Sequence, residues 1–136
     1  MSARTKARKR ALDILYAADV RQIPVAESLA AEAGRAASEP DRQTSWLYAR
    51  DIVDGVMDHA AEIDETIETY SQGWTIARMP TVDRALLRIA IWEILYNDEV
   101  PSSVAIAEAV EAAKTLSTDD SSGFINGVLG KVAESA

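Results

Sequence analysis

The 136-residue sequence contains no cysteine, a single histidine, six glycines and four prolines. The absence of cysteine excludes disulfides, thiolate zinc sites and cysteine nucleophiles, and it fits a reducing compartment. No apolar run approaches the roughly 18 residues that a membrane span requires. The first apolar stretch, ALDILYAADV, contains Asp13 and Asp19, so it is too polar for a secretory signal. We therefore expect a cytoplasmic protein without a membrane segment.

The sequence also has few of the motifs that carry catalysis. It contains no Walker A motif, no GxGxxG after a strand and no GxSxG. His59 has no cysteine partner, and the Glu-x-x-His pairs of a dinuclear metal site are missing. Asp119 and Asp120 are explained by the positive end of the helix that follows them. The sequence therefore predicts no catalytic residue, no metal site and no cofactor.

The residues that are abundant, among them Ala, Leu, Ile, Glu and Arg, favour helix. The length and the patterning predict a single all-α domain over residues 1–136, with about seven helices. The first helix is expected from Ala3 to Arg21. The second is expected from Pro24 to about Ala36, with a loop over residues 34–40, and the third from Asp41 or Thr44.

The segment TVDRALLRIAIWEIL has apolar residues on almost every side, which predicts a buried helix at the centre of a bundle. Thr81 is the expected N-cap, and Asp83 suits the positive end of this helix. In the last helix, Gly127 and Gly130 each weaken helix formation by about 1 kcal/mol relative to Ala. Tight packing or a nearby ligand would explain both glycines.

Charge is distributed unevenly along the chain. The protein has 14 basic and 22 acidic residues, yet five of its first ten residues are basic and none is acidic. This basic arm, residues 1–10, would attract nucleic acid, whereas the acidic remainder would repel it. A solubilising terminus is the simpler alternative. Because the charges surround the helix axis, we expect their mutual repulsion to fray the helix until an anion binds. The basic side chains of the arm are Arg4, Lys6, Arg8, Lys9 and Arg10.

Single-stranded RNA is held by basic side chains on its phosphates and by aromatic faces under its bases. Tyr16 follows the basic arm on the same helix, although an ordinary core position explains it better on sequence alone. Phe124 has the same ambiguity, since it lies close to a helix start. The three tryptophans, Trp46, Trp74 and Trp92, are expected in the core.

Five strings in order now point to one family: RALDILY after the basic start, RDIVDGV, VDRALLRIAIWEIL, VPSSVAIAEAVEAAK and FINGVLGKVA. The chain resembles the NusB family of transcription antitermination factors over nearly all its length. The resemblance implies two helical bundles packed across each other and no enzymatic activity. It also implies binding of the boxA element of nascent ribosomal RNA transcripts jointly with NusE, a small-subunit ribosomal protein, in the antitermination complex of RNA polymerase.

The resemblance further implies roles for particular residues. RNA binding falls on the arm side chains Arg4, Lys6, Arg8, Lys9 and Arg10, and on Tyr16, Asp120 and Phe124. Contact with the protein partner falls on Tyr16 and Asp83, and an acidic surface around Asp83 would suit a basic ribosomal protein. Two positions depart from the family pattern: Gly130 replaces an acidic residue, and Gly123 stands where some relatives have a basic one.

Two other functions remain open at this point. The chain could be an RNA-binding module detached from a ribosomal RNA methyltransferase, because NusB-like domains also occur fused to such enzymes. It could also be a protein-only helical adaptor with a merely solvated arm, which would leave RNA mobility unchanged at near-physiological salt. A homodimer is also open, and it could bury the surface that RNA or NusE needs.

Overall fold

Seven α-helices and one short 3-10 helix make up the part of the chain that the computed structural model describes, residues 2–39 and 43–136. No strand occurs within those two ranges, so the predicted all-α class is confirmed. None of the helices there is long and apolar enough to cross a membrane. The helices are α1 (Ala3–Arg21), α2 (Val25–Ser38), α3 (Gln43–Asp58), α4 (Ala60–Tyr70), the 3-10 helix (Ile76–Arg78), α5 (Thr81–Tyr96), α6 (Ser102–Leu116) and α7 (Ser121–Ser135).

Most helix boundaries lie close to their predicted positions. The bounds of α1 are confirmed, whereas α2 continues two residues past Ala36, to Ser38, whose hydroxyl donates to the carbonyl of Arg35, 3.1 Å away. Thr81 is the first helical residue of α5 rather than its N-cap, which is Pro80. The start of α3 expected at Asp41 lies outside the described residues, and the helix is seen from Gln43.

The chain divides into two compact units, Met1–Gly55 and Val56–Ala136, here called the N-terminal unit and the C-terminal unit. From its cap at Ser2 onward, the basic arm is helical rather than frayed, contrary to the sequence prediction. The side chain of Ser2 accepts a hydrogen bond from the backbone N–H of Thr5 at 3.0 Å and so caps α1. This cap satisfies one of the donors that a helix start leaves unpaired. The basic arm is therefore an ordered helical segment.

Arg10 connects all three helices of the N-terminal unit. Its Nε donates to the Ser45 hydroxyl on α3 at 2.6 Å, and its Nη1 donates to Oε1 of Glu32 on α2 at 3.2 Å. Nη1 of Arg35, also on α2, lies 3.1 Å from Oε2 of Glu32. A separate hydrogen bond runs from the buried Ser28 hydroxyl of α2 to the carbonyl of Ile14 in α1. These buried and partly buried polar contacts add directional constraints to the packing of α1 against α2 and α3.

Helix α5 is the centre of the C-terminal unit, as its apolar pattern predicts. It contacts α4, α6 and α7, and Leu87 and Ile91 on it are completely buried. Ile67 of α4 and Leu129 of α7 are also completely buried. The guanidinium of Arg88 donates to both carboxylate oxygens of Asp64 on α4, at 2.9 and 3.2 Å. The unit thus combines apolar burial with a two-point ion pair between α4 and α5.

Tight packing does not explain the two helical glycines of α7. A Cβ placed on Gly127 or Gly130 would meet no atom within 4 Å outside its own turn of helix. The packing explanation offered from the sequence is therefore wrong, because the faces of α7 that carry these residues are open.

The contacts of Arg10 predict that this residue supports the fold. Replacing Arg10 by Gln removes the guanidinium that lies 3.2 Å from Oε1 of Glu32, a carboxylate whose side chain is only 10% exposed. We expect the free energy of unfolding to fall by about 3 kcal/mol, measured by urea denaturation. Lys9→Gln is the matched control, because the Lys9–Asp13 pair is exposed, and it should cost about 0.5 kcal/mol or less. Equal effects of the two changes would contradict a structural role for Arg10.

The open space beside Gly130 predicts a gain in stability on substitution. Gly130→Ala should raise the free energy of unfolding by about 0.5–1 kcal/mol, because alanine has less backbone entropy to lose and meets no neighbour. Gly73→Ala is the contrasting control, since Gly73 has a φ of +90° and should lose stability. A lower urea midpoint for Gly130→Ala would show that this face of α7 has no room.

Candidate functional site

The five basic side chains of the arm differ in their surroundings. Lys6 and Lys9 are exposed, and Lys9 forms a surface ion pair with Asp13 at 2.7 Å. Arg4 is also exposed, whereas Arg8 is half-buried and Arg10 is held by Ser45 and Glu32. The arm therefore presents Arg4, Lys6 and Lys9 to solvent, while Arg10 is engaged within the N-terminal unit.

Tyr48 on α3 organises the two remaining arginines of the arm. The guanidinium carbon of Arg4 lies 4.6 Å from the centroid of the Tyr48 ring, and that of Arg8 lies 5.9 Å from it. Both distances are in the range of cation–π attraction. A guanidinium stacked on a ring keeps N–H groups at its edge, where a phosphate can accept from them. Sequence reasoning missed Tyr48, because no local pattern relates α3 to the start of α1.

Tyr16 lies on α1 and is 41% exposed, so its side chain is not the core aromatic that the sequence favoured. Val20, one turn further along, is 55% exposed. The two residues form a small apolar strip on α1 after the basic arm. Exposure of an aromatic side chain beside basic residues suits contact with a base or with a protein partner.

In the C-terminal unit, Asp120 and Phe124 line one groove of about 340 Å³. Trp74 lines the same groove and is 56% exposed, so its predicted core position is wrong. Trp46 and Trp92 are half-buried. A second groove, of about 260 Å³, shares Trp74 and Phe124 and is lined also by Gly127 and Lys131. Trp74 was missed as a surface residue because its exposure depends on the turn before the 3-10 helix.

Asp83 is buried, with only 3% of its surface exposed. Its Oδ1 accepts a hydrogen bond from the hydroxyl of Ser117, and its Oδ2 accepts one from Ser121 at 2.8 Å. The prediction that Asp83 contributes its carboxylate to an acidic surface is therefore wrong. The predicted place of Asp83 in the first turn of α5 is confirmed. The reason for its burial is non-local, since both hydroxyls come from the start of α7 and the turn before it.

The single histidine has a packing role. The ring of His59, at the start of α4, stacks on the ring of Tyr96 with their centroids 3.7 Å apart and an interplanar angle of 7°. This contact joins the start of α4 to the end of α5.

The sites predicted from the sequence thus fall on both units. The arm and Tyr16 belong to the N-terminal unit, and Asp83, Asp120 and Phe124 belong to the C-terminal unit. A family model described as the NusB family matches residues 5–134.

The chain belongs to the NusB family. The transcription antitermination protein NusB of Leifsonia xyli subsp. xyli (strain CTCB07) is 71% identical over 134 residues, which are 98% of this chain and 93% of that protein. T. maritima NusB has 28% identity and a TM-score of 0.85, covering 96% of this chain and 90% of that one. A structure of antitermination factors NusB and NusE in complex with dsRNA gives 26% identity and a TM-score of 0.85, and the match covers 100% of this chain and 99% of that one.

The NusB-family resemblance predicted from five sequence strings is therefore confirmed. In this member of the family, the arm residues, Tyr16, Asp120 and Phe124 remain predicted RNA contacts. Contact with the protein partner remains a prediction for Tyr16 and Asp83. Because the carboxylate of Asp83 is buried and hydrogen-bonded to two serine hydroxyls, it is not presented to a partner at the surface.

The burial of Asp83 predicts a large effect of charge reversal on stability. Asp83→Lys places an ammonium group where two hydroxyls donate to a carboxylate, so we expect the free energy of unfolding to fall by about 3 kcal/mol or more. Asp98→Lys, in the exposed turn after α5, should change it by about 0.5 kcal/mol or less. Thermal or urea unfolding provides the comparison, and wild-type stability of Asp83→Lys would show that the carboxylate is not held by the serines.

Proposed function

We propose that this chain is a transcription antitermination factor that binds the boxA element of nascent ribosomal RNA transcripts together with NusE and promotes read-through by RNA polymerase. The observation that carries the proposal is the near-complete match to proteins named as antitermination factors. The solved complex of a NusB with NusE and dsRNA supports RNA and NusE as the two partners. The role is binding, without a catalysed reaction or a cofactor, and it implies a cytoplasmic location.

The basic arm would supply the attraction to RNA that is independent of sequence. Phosphate contacts by Lys and Arg release counterions and make binding dependent on salt. Arg4, Lys6 and Lys9 are exposed for such contacts, and the guanidiniums of Arg4 and Arg8 both lie over the ring of Tyr48. Arg10 was predicted to bind RNA as well, but its hydrogen bonds to Ser45 and Glu32 favour a supporting role in the arm.

Aromatic and acidic residues at the surface would supply recognition of bases. Tyr16 is exposed and Phe124 is half-buried at the groove, and both offer ring faces on which unpaired bases stack. The carboxylate of Asp120 is exposed at the groove beside Phe124, where it can accept a hydrogen bond from an amino group of a base. A carboxylate repels phosphate, so this groove suits base edges rather than the RNA backbone.

The charge of the C-terminal unit favours a basic protein partner. The N-terminal unit has nine of the 14 basic residues and eight of the 22 acidic residues. The C-terminal unit has five basic and fourteen acidic residues. A ribosomal protein such as NusE is expected to be basic, and complementary charge speeds and orients association. We propose that Tyr16 contributes to the partner surface, and that residues 1–136 act as one RNA- and protein-binding domain. Asp83 was predicted to contact the partner as well, but its burial and its hydrogen bonds to Ser117 and Ser121 favour a supporting role.

One gel-shift series tests the function. The chain, with and without NusE, is titrated against a boxA RNA and a scrambled RNA of the same length. We expect the tightest complex with boxA RNA and NusE together, and weaker, more salt-sensitive binding to the scrambled RNA. Equal binding to the two RNAs would contradict boxA recognition. Unchanged RNA mobility with NusE bound would favour the protein-only adaptor instead.

The exposure of Lys6 and Lys9 predicts a specific effect on salt dependence. The double change Lys6→Gln and Lys9→Gln should flatten the slope of log K against log salt by about 1.4, since each single-strand phosphate contact contributes roughly 0.7. Arg21→Gln with Arg50→Gln is the matched control, because both arginines are exposed, lie in the same unit and give the same net charge. The control should keep the wild-type slope. A slope that is unchanged in the arm variant, or changed equally in both, would exclude the arm as the phosphate contact.

A further inference from the structure

The carboxylate of Asp83 is joined to the start of α7 by a chain of hydroxyl groups. Ser117 and Ser121 donate to its two oxygens, and the hydroxyls of Thr118 and Ser121 are 2.7 Å apart. Each hydroxyl has one proton, so the set is complete when Ser121 donates to Asp83 and accepts from Thr118. We call Asp83, Ser117 and Ser121 the Asp83 clamp.

The clamp fixes residues that stand on either side of it. Ser121 is the first residue of α7 and is 2% exposed, with Asp120 immediately before it and Phe124 one turn after it. All four of Asp83, Ser121, Asp120 and Phe124 line the same groove. A shift of Ser121 would therefore move the carboxylate of Asp120 and the ring of Phe124 together.

The clamp also explains why Asp120 is free to face the groove. Asp120 occupies the N-cap position of α7, but its side chain makes no capping hydrogen bond, and the first turn of α7 contains no acidic residue. The carboxylate of Asp83, 2.8 Å from the Ser121 hydroxyl, supplies negative charge beside this helix start from another helix. Negative charge there is favourable because the helix start carries partial positive charge.

We propose that Asp83 is a positioning residue, which holds the start of α7 through Ser117 and Ser121 so that Asp120 and Phe124 are presented to RNA. The inference rests on the proposed function, and it changes the role that the sequence suggested for Asp83. A direct contact between Asp83 and the partner would require its carboxylate to give up at least one serine hydroxyl. Direct contact is therefore the competing hypothesis.

The test uses the full chain with NusE and boxA RNA. The clamp variants are Ser121→Ala, Ser117→Ala and Asp83→Asn, and the rescue variant is Ser121→Thr, which restores a hydroxyl. Ser122→Ala is the matched control, because it removes the same group from the neighbouring residue of α7, outside the clamp. RNA affinity of the complex is measured over a range of salt, and NusE affinity is measured separately by calorimetry, below the melting temperature of every variant.

We expect Ser121→Ala and Asp83→Asn each to weaken RNA binding by the complex about tenfold, equivalent to about 1.4 kcal/mol. The plot of log K against log salt should keep its slope, because the arm still makes its phosphate contacts. The double variant that combines Ser121→Ala with Asp83→Asn should bind RNA little worse than either single variant, since both changes remove the same interaction. Ser121→Thr and Ser122→Ala should stay within about twofold of wild type, and NusE affinity should not change in any variant.

Several outcomes would overturn the inference. Equal RNA affinities of Ser121→Ala and Ser122→Ala would show that the clamp does not position the RNA contacts. Loss of NusE affinity in Asp83→Asn but not in Ser121→Ala would establish direct partner contact instead. If Ser121→Ala is unfolded at the measuring temperature, Ser117→Ala, at the more exposed end of the clamp, decides between these results. If the wild-type complex does not bind boxA RNA, the proposed function itself is contradicted. If the wild-type complex binds and the clamp variants bind equally well, only the inference about Asp83 fails.

Discussion

The apolar circumference of α5 is the constraint on which the C-terminal unit depends. A helix that is apolar on every side is stable only when all sides are removed from water, so α4, α6 and α7 must surround it. The same enclosure buries the few polar side chains of α5, and each then needs a partner inside the fold. Arg88 obtains Asp64 from α4, and Asp83 obtains Ser117 and Ser121 at the start of α7. The burial of α5 thereby places Asp83 in the lining of the groove that Phe124 also lines.

The N-terminal unit shows how one cluster of like charges can serve two purposes. Five cations on about two helical turns repel one another, and the fold reduces this cost by giving several of them partners. Arg10 is drawn inward to Glu32 and Ser45, and the guanidiniums of Arg4 and Arg8 lie over Tyr48. The arm is therefore already helical, rather than a segment that becomes helical only when an anion binds. A preordered cationic helix loses less conformational entropy when it meets RNA.

Membership of the NusB family gives these surfaces a common interpretation. The N-terminal unit carries the basic arm and an exposed Tyr16, which suit RNA backbone and bases. The C-terminal unit is rich in acidic residues, which suits a basic protein partner, and its groove combines Trp74 and Phe124 with the carboxylate of Asp120. In the proposed function, electrostatic attraction draws the chain to its partners, and a few aromatic and polar side chains would select among RNA sequences.

The sequence by itself determined the all-α class, the extent of α1 and the central position of α5, because helix formation depends on contacts three and four residues apart. It also identified the family, since five strings in order carry that information. Only the tertiary structure decided that Arg10 supports the fold, that Asp83 is buried and that Trp74 is exposed. Each of these depends on residues distant in the chain, and no local pattern of spacing or charge encodes which helix supplies the neighbour.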